Sequence, residues 1–263
     1  MDVSRSIAVS GLLAHQRQLE VISNNIANAG TTAFKRSRAN PTDAGYQAGL
    51  TAPVGPNGED VRINGVGEGA RLADVQHDFL PGTVQPTGNP LDVALDGDGF
   101  FQLALPGGQL GYTRDGTFRL DAQGLVVTGS GHPVLADDGS ELRIPEDAVA
   151  LSFEPAGHLV ATLADGNEQV VGRLAVMQFR NRDGLLANGQ NVWLSTEASG
   201  PPLPVAMDAP DAPGVVGGAL ETSNVDVADE FTRLIQAQRG YQLNLRVVQA
   251  WDEIERMNNE LRR

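Results

Sequence analysis

The chain has 263 residues, 41% of them hydrophobic, with no cysteine and a formal net charge of −14. That length can bury a sizeable core in one or two domains, and the missing cysteine excludes disulfides, thiolate catalysis and cysteine-ligated metal. The acidity argues against nucleic acid and anionic membrane surfaces, which both require a basic face; residues 1–40 carry +3 and 226–263 carry −1, leaving −16 between them.

In chain order, the first ~28 residues have helical spacing. Leu12, Leu19 and Ile26 sit seven apart, with Ala8, His15, Ile22 and Ala29 as the companion row, a seam interrupted by one polar residue. Asp2 suits an N-cap and Gly30 a left-handed terminator. The segment IAVSGLLA (7–14) is apolar enough for a short signal-peptide core. However, Ser10 and Gly11 interrupt it and the polar HQRQLE follows, so no cleaved signal is expected. No run reaches the ~18 apolar residues of a membrane helix.

Residues 41–70 are rich in glycine and proline with weak periodicity and read as an extended arm or linker. Short strands follow at 91–97, 99–105, 112–120 and 124–129, then at 149–153, 158–163, 169–179 and 191–195, punctuated by turns such as PGG (106–108) and DAQG (121–124). This spacing predicts a body of antiparallel hairpins. Residues 196–218, with three prolines between 201 and 204, read as a connection back to a helical zone.

The last segment has the strongest periodicity. Val227, Phe231, Leu234, Gln238, Tyr241, Leu245 and Val248 step by four and three, and Trp251, Ile254 and Leu261 continue the stripe after a stammer. Ser223 with Asp226 fits a capping box opening a helix over 226–261. The fold class is therefore α+β: long N- and C-terminal helices forming a coiled-coil-like zone, with an inserted, mainly antiparallel β body and an extended Gly/Pro-rich arm. The expected divisions are 1–32 and 216–263 for the helical zone, 33–74 for the arm and 75–215 for the β body. Apolar seams this long require pairing within the chain or with other copies.

Enzyme chemistry finds little support. His15, His77, His132 and His158 lack the spacing of a metal site. LDGDGF (95–100) is an incomplete calcium loop and suits a turn better. GSGH (129–132) lacks the pattern of a nucleophile elbow. Lys35 is the chain's one lysine, so no phosphate-binding Gly-Lys loop exists. Tyr241 and Trp251 read as packing residues at helical spacing. The asparagines at 24, 25 and 28 suit either helix-end bonding or cross-links between helices.

Four segments, SNNIANAGTTAFKR (23–36), NPLDVALDGDGFFQL (89–103), YTRDGTFRLDAQG (112–124) and GALETSNVDVADEFTRLIQAQRGYQLNLRVV (218–248), together resemble the flagellar hook–basal-body rod family, in that family's order. The resemblance implies a non-enzymatic axial subunit of the bacterial flagellar basal body without cofactors. It also implies export unfolded through the flagellar type III apparatus without a cleaved signal. Helical self-assembly would place the terminal helices in an inner tube and the β domains outside it. Implied partners are further copies, other rod and hook subunits, the export apparatus and the surrounding ring proteins, with no nucleic acid and no membrane insertion.

Within the family, the C-terminal segment and the arm are similar to the distal-rod branch, and a proximal-rod subunit is the alternative. From another class, a secreted β-rich binding protein on a helical stalk is the second reading, and a stable monomer with the helices folded back as a hairpin is the third. The residues implied for the assembly seam are Leu12, Leu19, Ile22 and Ile26 with Phe231, Leu234, Tyr241, Leu245, Val248 and Trp251. Those implied for family motif and subunit register are Asn24, Asn25, Asn28, Phe34, Lys35, Gly99, Phe100, Phe101, Tyr112, Arg114, Gly116, Thr222, Ser223, Asn224, Gln238 and Arg239. Ala33 stands where the family usually has glycine, so an alanine there would be strained if the site needs positive φ, and a different local turn is expected.

Overall fold

Both helices form where the apolar spacing places them: α1 spans Val3–Ala27 and α2 spans Val227–Leu261. The computed structural model describes residues 3–46, 51–53, 60–62, 67–209 and 212–261. The chain divides into two units, one comprising Met1–Ala27, Ser37–Asp78 and Asp226–Arg263, the other Asn28–Arg36 and Phe79–Val225.

In the first unit α1 and α2 run antiparallel. Asn25 of α1 bonds to Glu230 of α2, and at the other end Arg5 reaches Asp252 and Glu255. Between these ends the helices approach over small residues. Ala8, Ala14 and Ala237 are buried, a Cβ on Gly11 would meet the Asn244 amide at 2.8 Å, and one on Gly240 would meet the His15 ring at 2.5 Å. His15 and Asn244 thus fill the gaps left by glycines on the opposite helix.

The strand β1 (Ser37–Asp43) precedes β2 (Thr51–Pro53), β3 (Asp60–Arg62) and β4 (Ala70–His77). β1 pairs antiparallel with β4, and β2 with β3. Residues 41–43, 51–53, 60–62 and 70 of the region read as a linker are therefore laddered. The β1–β4 register slips between Asn40 and Pro41, where proline offers no N–H to the ladder.

Two expected helix-end features differ. Gly30 does not adopt positive φ; the left-handed residue after α1 is Ala33, at φ 53°. Asp226, not Ser223, caps α2: its carboxylate accepts the N–H groups of Ala228 (2.9 Å) and Asp229 (3.2 Å). Ser223 instead accepts Val225 N–H at 3.2 Å. The expected N-cap Asp2 lies outside the described residues.

The second unit is antiparallel throughout its described strand pairs. A six-stranded sheet runs in the order 186–187, 192–194, 110–113, 100–104, 176–178, 203–204, beside a three-stranded sheet of 148–153, 158–163 and 168–173. Two-stranded ribbons pair 93–96 with 214–217, 84–86 with 219–221 and 118–120 with 126–128. The region read as a connection, 196–218, therefore contributes strands to this unit.

The expected strand 112–120 breaks at 114–117. Arg114 turns into the interior, and the Asp115 carboxylate accepts Thr117 N–H at 3.0 Å in a tight turn. The core joins Val93, Leu95, Phe101, Leu103, Phe118, Leu159 and Leu174, each at most 1% exposed. Burying one such side chain contributes about 1.5–3 kcal/mol. A second cluster holds Phe79, Phe100, Tyr112, Phe179 and Trp193, with rings packed edge to face 4.8–5.8 Å apart. Burial there pushes the Tyr112 phenol pKa up against a hydrogen bond with Ser195.

Candidate assembly site

The motif residues build one buried polar knot in each unit. In the first unit, Asn25 is 1% exposed and serves three bonds. Its Oδ1 accepts Ser37 N–H at 2.8 Å, and its Nδ2 donates to Ser37 C=O at 2.8 Å and to the Glu230 carboxylate at 3.1 Å. Ser37 Oγ also contacts His77 Nδ1 at 3.2 Å. An asparagine amide near a helix end can match both backbone groups of another residue, so Asn25 pins the start of β1 against α1. Glu230, 1% exposed, brings α2 into the same knot.

In the second unit the knot is ionic. Glu221 Oε1 accepts from Lys35 Nζ (2.6 Å) and Gly82 N–H (2.7 Å), and Oε2 accepts from Arg114 Nε at 3.1 Å. All three charged side chains are nearly excluded from water, at 0–4% exposure. Lys35 also donates to Leu80 C=O, and Arg114 Nη1 donates to the carbonyls of Gly97 and Gly99. Burial draws the Arg114 pKa down while Glu221 holds it up, and the guanidinium stays charged. Asn224 completes the closure, accepting Arg36 N–H at 2.8 Å and donating to Leu80 C=O at 2.9 Å.

Ala33 sits in this second knot, 2% exposed, and donates its N–H to Glu221 C=O at 2.8 Å. The turn has not rearranged to suit alanine; alanine adopts the left-handed backbone. That conformation costs an L-residue about 1–2 kcal/mol, against about 0.4–1 kcal/mol of extra unfolded-state entropy for glycine. Ala33→Gly is expected to stabilise the second unit by about 0.5–1 kcal/mol. The measurement is urea denaturation followed by Trp193 fluorescence in a Trp251→Phe background; an unchanged or lower midpoint counts against strain at this position.

The remaining motif residues are spread over both units. Asn28 accepts Thr31 N–H and contacts the Thr31 hydroxyl, and Phe34 C=O accepts Asn224 N–H. Thr222 Oγ1 accepts Thr83 N–H at 3.2 Å, while Thr222 N–H goes to Thr83 C=O. Phe100 and Tyr112 join the aromatic cluster, and Phe101 packs on Phe118 at 5.3 Å. Gly99 and Gly116 allow close approach to Val176 and Val93. Asn24, Gln238 and Arg239 are exposed.

Of the expected seam, Ile22 is buried; Leu12, Leu19, Ile26, Leu234, Tyr241, Val248 and Trp251 are half-buried; Phe231 and Leu245 are exposed. The contact between α1 and α2 also uses Gly11, Ala237, Gly240 and Asn244, which the apolar spacing did not single out. Their signal was the recurrence of small residues at helical intervals. Glu230 and Glu221 were likewise missed, since a lone acid in a charged helix or a short strand carries no mark of burial. Among the described residues no helix is long and apolar enough to cross a membrane, and no acidic or histidine cluster of metal-binding arrangement occurs.

A unit assembled from both ends of the chain, presenting a long helix with exposed apolar side chains, defines a structural assembly subunit. Three family profiles match: flagella basal body rod protein over residues 6–35, the D1 domain of flagellar hook protein FlgE/F/G over 94–161, and the flagellar basal body rod FlgEFG protein C-terminal region over 216–261. The chain is 38% identical over 255 residues to the flagellar basal-body rod protein FlgG of Bacillus subtilis, covering 94% of each chain. It is 37% identical over 268 residues to FlgG of Caulobacter vibrioides, covering 97% of each, and 29% identical over 260 residues to the FlgF of that organism, covering 97% of this chain and 96% of FlgF.

The chain belongs to the flagellar basal-body rod family. It is a structural, non-enzymatic rod subunit, and its similarity to FlgG places it with the distal-rod subunits rather than the proximal-rod or secreted-binder alternatives.

Proposed function

We propose that the chain polymerises helically through its first unit, with α1 and α2 forming a coiled-coil-like inner zone, and that the polymer transmits torque from motor to hook. The observation carrying this reading is the apolar surface left on α2 once α1 is seated. Phe231, Ile235, Leu243, Leu245, Val247 and Ile254 are each more than a third exposed. A helix apolar on more than one face supports burial by several neighbours.

In this reading Leu12, Leu19, Ile22 and Ile26 with Phe231, Leu234, Tyr241, Leu245, Val248 and Trp251 form the inner seam. The polar knots at Asn25 and Lys35, with Thr222, Ser223 and Asn224, hold the chain exits that set subunit register. Residues 33–74 act as the stiffening arm, 75–215 as the outer domain, and 1–32 with 216–263 as the inner core. Partners are further copies, adjoining rod and hook subunits, the type III export apparatus that delivers the chain, and the encircling rings.

The experiment is deletion of the gene followed by isolation of basal bodies. Structures ending at the proximal rod, without distal rod or hook, are expected; intact flagella would overturn the reading.

A further inference from the structure

We propose that the end of α2 docks into a groove at the opposite end of the α1–α2 pair of a second copy, a head-to-tail contact that rests on the assembly reading above. Arg5, near the start of α1, reaches Asp252 and Glu255. By that antiparallel register Met257 and Leu261 lie past Val3, the first described residue of α1. There Ile254, Met257 and Leu261 are 49%, 52% and 86% exposed. Their spacing of three and four puts them on one helix face, the pattern by which a helix anchors in a groove. Glu253 and Glu260, seven residues apart along one edge of that face, have no ion pair among the described residues.

The groove lies in the same unit at the far end of the helix pair and measures about 290 Å³. Val21, Ile22, Ala39 and Ala237 give it an apolar floor, and Arg38 and Arg233 stand at its edge. Arg38 is exposed and has no ion pair among the described residues, while Arg233 is bonded to Asp229 at 3.0 Å. The one acid lining the groove, Glu230, is buried against Asn25. An apolar stripe edged by Glu253 and Glu260 therefore meets an apolar floor edged by Arg38 and Arg233.

The two surfaces lie on different parts of the same unit, so the contact is heterologous. It leaves one copy with a free groove and the other with a free tail, and it repeats rather than closing into a dimer. Met257 is 20 residues beyond Ala237 on α2, so successive copies are offset by about 30 Å along that helix at 1.5 Å per residue.

The absence of cysteine gives the test a clean background. Ala39→Cys and Met257→Cys chains are produced together in the host, and basal bodies with rods are isolated and oxidised. A disulfide-linked mixed dimer is expected, with no cross-link in rods of either variant alone. Rods that contain both variants yet keep free thiols would overturn the proposal while leaving the assembly reading intact. Loss of the assembly reading shows separately, as unmodified chain missing from the rod.

If a cysteine variant does not enter rods, charge reversal decides. Arg38→Glu and Glu260→Arg are each expected to lower incorporation about tenfold, and combining them in one chain to restore it. A combination no better than the single variants would overturn the proposal.

Discussion

Glu221→Ala is expected to destabilise the second unit by about 3–5 kcal/mol, the cost of leaving buried charge without its partner. The carboxylate is 1% exposed and faces two cations, Lys35 Nζ at 2.6 Å and Arg114 Nε at 3.1 Å. Arg114 Nη2 already has no hydrogen-bond partner among the described residues. Removing the acid would strand two positive charges in the interior and free the Gly82 N–H as well. Against a total stability of about 5–15 kcal/mol for a typical domain, the change should bring the unit near unfolding. Glu221→Gln retains the volume and one acceptor but no charge, and should recover only part of the loss. Adding Lys35→Met to Glu221→Ala removes one stranded charge, so the double variant should be more stable than Glu221→Ala alone. Urea denaturation read by Trp193 fluorescence measures all three; a loss below about 1 kcal/mol for Glu221→Ala would mean that the knot behaves like an exposed ion pair.

How much of this was legible depends on the range of the interaction. α2 could be read directly, because Val227 to Val248 alternate at four and three and the stripe runs on to Leu261. Strands such as 158–163 were legible for the same local reason. The β1–β4 ladder was not: SRANPTD holds Asn, Pro and Asp, poor strand formers, and its order comes from β4, which pairs Ser37 with His77. The expected strand 169–179 stops at Arg173 because its two halves serve different sheets, 168–173 pairing with 158–163 and 176–178 with 100–104.

The knots were the least legible part. Lys35 and Glu221 are 186 residues apart, and Arg114 and Glu221 are 107 apart, so no local pattern links them. The family resemblance marked Lys35, Arg114 and Asn224 as motif residues, and in the structure each bonds to a distant segment: Lys35 and Arg114 to the buried Glu221 carboxylate, Asn224 to the backbone of Arg36 and Leu80. Ala33 shows the converse. Its departure from glycine was visible in the sequence, but only the backbone shows that the turn keeps its left-handed form at alanine's expense.

Gly116→Ala is expected to destabilise the second unit by about 3 kcal/mol, at the upper end of overpacking costs. Gly116 has no positive φ, so the demand here is for space rather than for a special backbone. A Cβ would overlap the Val93 carbonyl oxygen and lie 2.7 Å from its carbon. Neither atom can swing aside as a flexible side chain would. Val93 is fully buried in the core and starts the strand Val93–Asp96, and its N–H is bonded to Gly116 C=O at 3.1 Å. Moving the two chains apart would stretch that bond, disturb the pairing of Val93 with Gly217 and shift the turn that aims Arg114 at Glu221. Gly129 provides the control: it has no positive φ, and nothing lies within 4 Å of its added Cβ. Gly129→Ala should therefore change stability by no more than about 0.5 kcal/mol. Equal midpoints for the two alanine variants would mean that Gly116 is not held by the approach of Val93.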